Sequence, residues 1–130
     1  MRIFLDANIL FSAARSDSRM RAFLKVLSKR ADLLTNAYAV EETRRNLELK
    51  SPNDLKLLEQ MVRRCEMVSQ LAADLEVELP LKDRPILGGA IAGHATHLLT
   101  GDERDFGRFW GKAVRGVKIV SPRMLAEEVL

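Results

Sequence analysis

Short apolar runs alternate along this chain with longer stretches in which apolar side chains recur every three or four positions, the two rhythms of buried strands and amphipathic helices. Residues 2–5 (RIFL) read as a buried strand. From about residue 18 to 30, Met20, Phe23, Leu24 and Leu27 share one helical face. Residues 32–35 make a second strand. Asn36 then caps a helix that turns Val40, Thr43 and Leu47 inward and Glu41, Arg44 and Glu48 outward. Ser51-Pro52, a cap followed by proline in the first turn, starts another helix through Leu55, Leu58, Met61 and Val62.

A strand near 66–69 and a helical stretch reaching Leu79 lead to Pro80-Leu81-Lys82-Asp83-Arg84-Pro85. There Asp83 is placed to cap a helix over residues 84 to about 96, with Pro85 tolerated in its first turn. A strand over 97–100, a Gly101 turn, a short helix over 103–110, a glycine-punctuated loop and the strand VKIV (117–120) follow, before a terminal helix capped by Ser121-Pro122. This alternation predicts an α/β domain around a mostly parallel sheet of about five strands. Gly88, Gly89 and Gly93 each weaken a helix by up to about 1 kcal/mol relative to alanine. Close packing, within the domain or in a homodimer, is the expected compensation.

At 130 residues the chain fits one domain, 1–130, large enough to bury a core without disulfides or a structural metal. It is 47% hydrophobic and 30% charged, and no apolar run approaches the roughly 18 residues of a membrane span. Asp6 and Asn8 interrupt the apolar amino-terminal stretch, unlike the core of a signal peptide. Cys65 is the only cysteine, which excludes an internal disulfide and a cysteine-based zinc site and fits a reducing, cytoplasmic setting. The formal charge of +3 does not by itself imply a nucleic-acid partner. Its distribution is more informative. Arg15, Arg19, Arg21, Lys25, Lys29 and Arg30 crowd one early segment, and Arg104, Arg108, Lys112, Arg115, Lys118 and Arg123 crowd the last quarter.

Candidate chemistry lies in the acids. Asp6 and Asp102 each follow a predicted parallel strand, and in open parallel sheets ligand sites form beyond the carboxyl ends of the strands. Asp83 at a helix start and Glu42 in the first turns of another helix can face the same crevice. Taken singly, Asp83 reads as a cap and Glu42 as a solvated residue. Together, several carboxylates repel one another unless a cation sits among them, and hard oxygen donors suit Mg²⁺ or Mn²⁺. An acidic metal pocket with basic surroundings points to phosphoryl chemistry. His94 and His97 lack an HExxH context and belong to packing or surface, while Phe106, Phe109 and Trp110 anchor the short helix.

The order LDANIL, AVEETRRNL, LKDRPILGGAIAGHATHLLTGDERDF, VKIVSPRML resembles the PIN-domain family from end to end, most specifically in DRPILGGAIAGHATHLLTGDERDF. The resemblance implies a three-layer α/β/α fold and a Mg²⁺- or Mn²⁺-dependent endoribonuclease, of the kind found as the toxin of toxin-antitoxin pairs. RNA and an antitoxin protein are the implied partners. Position by position it implies metal-binding roles for Asp6, Glu42, Asp83 and Asp102, with Asp105 accessory and Asn8 and Thr100 as supporting polar groups. Glu41 rivals Glu42. Arg104 and Arg108 are the candidates for contact with the RNA backbone. One departure is Ala7, where relatives often carry a hydroxyl that would orient Asp6. The main alternative is a PIN-like RNA-binding or protein-interaction module with weak or no activity. Other doubly wound phosphotransfer domains fit less well, since a phosphatase's DxD opening is absent.

Overall fold

Six strands form one sheet in the computed structural model, which describes residues 1–16 and 18–130. In chain order they are β1 (Arg2–Leu5), β2 (Asp32–Thr35), β3 (Glu66–Met67), β4 (His97–Leu99), β5 (Ala113–Val114) and β6 (Val117–Val120). Their order across the sheet is β3-β2-β1-β4-β6-β5, and every pairing is parallel except that of β5 with β6. Seven α-helices are found among the described residues: α1 (Ala7–Ala14), α2 (Arg19–Leu27), α3 (Ala37–Lys50), α4 (Leu55–Val62), α5 (Arg84–Ala92), α6 (Glu103–Phe106) and α7 (Pro122–Val129). The arrangement is a three-layer α/β/α fold around a mostly parallel sheet.

Right-handed crossovers explain the layering. Stepping from β1 to β2 to β3 places α1 to α4 on one face, where α1 packs against α2, α3 and α4. The return from β3 to β4 reverses direction and sends α5 across the other face, against β1, β2 and β4. Between β1 and β4 the winding switches, so the chain leaves the two carboxyl ends toward opposite faces, the place where ligand sites form in open parallel sheets. Central position also explains the strand compositions. Ile3, Phe4 and Leu5 are at most 1% exposed, and they align with Leu33 and Leu34 on one side and His97, Leu98 and Leu99 on the other.

Several sequence expectations need correction. The segment 70–79 is not helical: Asp74 and Glu76 adopt φ of 58° and 64°, which a right-handed helix excludes. Leu75 and Leu79 are buried as separate anchors, and the Ala72 amide bonds to the Gly88 carbonyl at 3.0 Å. The spacing that suggested a helix is a loop pinned at intervals. Helix α1 had no counterpart in the pattern, because ANILFSAA is too apolar throughout to show a periodic face. The helix over 84–96 stops at Ala92, since His94 turns to φ 54° and Arg2 takes the Gly93 carbonyl at 2.8 Å. The strand expected over 66–69 shortens to two residues. The sheet gains a sixth strand because Gly111 and Gly116, both at positive φ, fold the glycine-punctuated loop back on β6.

The glycines of α5 serve close packing inside the chain. A Cβ on Gly89 would lie 2.4 Å from Asn36 Nδ2 and 3.1 Å from the Phe4 ring, and one on Gly93 would lie 2.7 Å from Val68. The helix thereby sits directly on β1 and β2. His97 is a packing residue as expected, its ring held between Thr96 Oγ1 at 2.8 Å and Glu128 at 2.9 Å.

Candidate metal centre

Asp6 ends β1 and caps α1, accepting from the Ala7 amide at 2.6 Å. Only 3% exposed, it also accepts from Thr100 Oγ1 at 2.8 Å and Asn8 Nδ2 at 3.2 Å. The orientation that a hydroxyl at position 7 would give is therefore supplied by Thr100, the residue after β4, across the switch point. Thr100 accepts in turn from the Asp102 amide at 3.1 Å, and Asn8 Oδ1 accepts from the Gly101 amide at 2.8 Å. Burial pushes the Asp6 carboxyl up to about 6, against the lowering effect of the Thr100 and Ala7 hydrogen bonds, with the charges of Glu42 and Asp102 adding to the rise.

Asp83, Asp102 and Asp105 come together so that one ligand atom from each lies within 4.8 Å of the others. Asp102 is fixed as the cap of α6, accepting from the Asp105 amide at 3.0 Å. Asp83 occupies the cap position of α5 but does not cap it. Instead its carboxylate turns into the cluster, where its Oδ2 is buried without a partner. Burial, the adjoining Asp105 carboxyl and the charge of Asp6 all push Asp83 well above the carboxylate range, while Asp105 is held below it. Crowded acids titrate apart in this way, one above and one below the ordinary range. Lys82 Nζ, 3.4 Å from Asp105, is the nearby counter-charge, on a side chain 65% exposed.

The two adjacent acids of α3 part company. Glu41 is engaged by Arg44 and lies 3.8 Å from Arg45, pointing along the helix. Glu42 is exposed, and its charge is felt at Asp6. Its placement follows from its neighbour: Thr43 is buried and bonds to the Ala7 carbonyl at 3.1 Å, locking that turn of α3 to the start of α1. Asn36, which caps α3, reaches from the end of β2 to the Pro85 carbonyl at 3.0 Å and ties in the start of α5. The structure thus gathers Asp83, Asp102 and Asp105 tightly and leaves Asp6 and Glu42 outside that close group. Lys82 and Arg84, beside Asp83, were missed by sequence reasoning. Their only signal was adjacency to an acid.

This donor set fits a hard divalent cation. A buried oxygen without a partner, surrounded by other carboxylates, is an acceptor waiting for positive charge, and all the donors are oxygen. Opposite oxygens around Mg²⁺ lie about 4.2 Å apart. A separation of up to 4.8 Å therefore needs only a small inward shift or an intervening water. The apolar cavity of about 430 Å³ between α2 and α4 is lined by no carboxylate and is separate from this centre. Its Cys65 thiol is pushed up to about 11 by burial and stays protonated.

No protein-family model matches the chain, and no curated protein matches it. Solved structures do. VapBC2 from Rickettsia felis, bound to a DNA fragment from its promoter, aligns with a TM-score of 0.67 at 19% identity, over 93% of this chain and 98% of that one. DNA-bound VapBC from Salmonella typhimurium aligns over the same shares with a TM-score of 0.65 at 18% identity. FitAcB from Neisseria gonorrhoeae does so with a TM-score of 0.62 at 21% identity. The VapC and FitB components of such complexes are PIN domains, and the chain has the PIN-domain fold. At these identities the likeness is one of fold.

Proposed function

We propose that this protein is a metal-dependent endoribonuclease and the toxin member of a toxin-antitoxin pair. The observation that carries the reading is the buried, unpartnered Asp83 oxygen beside Asp102 and Asp105 at the switch point of the sheet. Asp83, Asp102 and Asp105 would hold Mg²⁺ or Mn²⁺, and Asp6 and Glu42 complete its negative surroundings. When bound, such an ion supplies an activated water and offsets the charge that develops on the phosphate. The chain's part is to hold the acids in place. Thr100, Asn8 and the Ala7 amide fix Asp6, and the cap at Asp102 fixes the start of α6. Hydrolysis adds water across one P–O bond, and no covalent intermediate is required.

The toxin reading draws its support from the neighbours, which are two-component complexes. It implies an antitoxin protein whose binding silences cleavage. The alternative, a module of the same fold without activity, is separated by one assay. Single-stranded RNAs of diverse sequence are incubated with purified protein and Mn²⁺ or Mg²⁺, with EDTA and with Asp102→Asn. Cleavage that requires metal and Asp102 is expected. Intact RNA throughout the panel, or cleavage that survives both controls, would overturn the enzyme.

A further inference from the structure

A second cavity is lined by residues that neighbour the acids along the chain. It holds about 440 Å³ and is lined by Glu78, Leu79, Pro80, Arg84 and Arg108, a volume within the range of about 300 to 1,000 Å³ typical of small-ligand sites. Its two arginines are close neighbours of the cluster acids along the chain. Arg84 directly follows Asp83, and Arg108 lies three residues beyond Asp105.

We propose that this cleft seats a flanking phosphate and its nucleotide in the RNA strand, next to the phosphate that is cut. The inference rests on the ribonuclease reading and adds to it the residues that position the strand. Arg108 is prepared for the role. One of its terminal nitrogens donates to the Glu78 carbonyl, and its plane lies over the Phe109 ring at 4.7 Å, so the guanidinium is held while other donors stay available. Arg84 makes no side-chain hydrogen bond or ion pair among the described residues. Its backbone is fixed between Asp83, which is buried, and Pro85 in the first turn of α5.

Two guanidinium forks suit phosphate geometry, because each can offer paired N–H donors to a phosphate's oxygens. The rest of the lining is of another kind: Leu79 is buried, and Pro80 presents an exposed ring against which a ribose or base can lie. A cleft that combines cations with an apolar surface matches a nucleotide better than an inorganic anion. It also answers an electrostatic difficulty. A polyanionic strand is repelled by the carboxylates of the centre, and cations immediately beside them offset that repulsion. Glu78 is the only acid in the lining and is exposed, so it weakens the cleft's charge without cancelling it. Arg104 does not line the cleft, although the sequence offered it and Arg108 alike as contacts for the RNA backbone.

The test is equilibrium binding of a fluorescent single-stranded RNA hexamer in EDTA, across a series of salt concentrations. Chelator stops cleavage, so the measurement does not depend on activity. Each phosphate contact adds about 0.7 to the slope of log affinity against log salt for single strands. Arg84→Gln and Arg108→Gln should each weaken binding severalfold and reduce the slope by about 0.7, and the double variant by about 1.4. Glu78→Gln should tighten binding. Arg104→Gln removes the same charge from outside the cleft and should change little. Equal losses from Arg104→Gln and Arg84→Gln would mean diffuse attraction and would overturn the cleft, as would an unchanged slope in Arg84→Gln. Arg108→Gln also removes a structural bond, so Arg84→Gln, with its melting temperature checked, is the deciding variant. Should the hexamer bind as expected while no RNA is ever cleaved with metal, the cleft stands and the enzyme reading fails.

Discussion

Asp83→Asn probes the centre without any substrate. In chelator the Asp83 carboxyl is 5% exposed, its Oδ2 has no partner, and Asp105 and Asp6 face it with like charge. Leaving a buried acceptor unsatisfied costs about 1–3 kcal/mol, and more when it is charged. Asparagine keeps the shape, removes the charge and offers an N–H to Asp105, so about 1–3 kcal/mol should return to the fold at pH 8. For a chain of this size 1 kcal/mol corresponds to about 4 °C, so the variant should melt about 4–12 °C above the wild type. The sign with pH follows from the direction of the shift. A carboxyl whose pKa is raised by folding favours the fold most when protonated, below its ordinary value of 3.8, and that advantage is lost as pH rises through the folded-state value. The gap between variant and wild type should therefore be wide at pH 8 and close near pH 4. Manganese should narrow the gap. At a hundredfold excess over Kd it would stabilise the wild type by about 2.7 kcal/mol, and a variant with one ligand weakened gains less. The assay is thermal melting from pH 4 to 8, in EDTA and in Mn²⁺. An asparagine variant that melts lower than wild type at every pH, with the same metal response, would refute this account of Asp83.

Two further outcomes follow from the same geometry. Glu42→Gln should lower RNA cleavage by about 10- to 100-fold, the usual cost of disturbing a metal's surroundings, while Glu41→Gln, whose carboxylate serves Arg44, leaves the rate nearly unchanged; the reverse ranking would move the site by one residue. Thr100→Val removes a hydrogen bond that holds the Asp6 pKa down, so it should climb beyond about 6. Apparent Mn²⁺ affinity should then fall more at pH 6 than at pH 8, and an equal loss at both would assign Thr100 a purely structural part.

Most strands and helices were legible because their signals are local. RIFL and VKIV are continuous apolar runs between polar boundaries, and Asn36 and Ser121 announce helix starts that the structure shows them capping. Asp6 and Asp102 were legible as acids at strand ends, a position that topology converts into proximity. What sequence could not show was the difference between neighbours in space. Asp83 looked like a cap, yet its carboxylate turns inward, because only tertiary packing decides which way a cap residue faces. Arg104 and Arg108 looked equivalent until the Glu78 carbonyl and the Phe109 ring distinguished them. Segment 70–79 carried helical spacing without a helix, since left-handed turns at Asp74 and Glu76 leave no periodic trace.

The network around Asp6 also says something about when this molecule becomes whole. Its hydroxyl partner Thr100 is 94 residues away in sequence, and the Asp6 amide bonds to the Leu99 carbonyl. During synthesis, a ribosome that has released β1, β2 and β3 has delivered strands that can pair, but β1 still has one bare edge and Asp6 lacks the group that orients it. Emergence of β4 and the turn after it closes that edge and brings Thr100 to Asp6, and Asp102 and Asp105 follow directly to join Asp83. A nascent or clipped chain that ends before β4 lacks Thr100, Asp102 and Asp105 and carries an apolar strand edge open to pairing with other chains. Closing the β1 edge and orienting Asp6 are thus one step, taken before β5, β6 and α7 are added to the sheet and core.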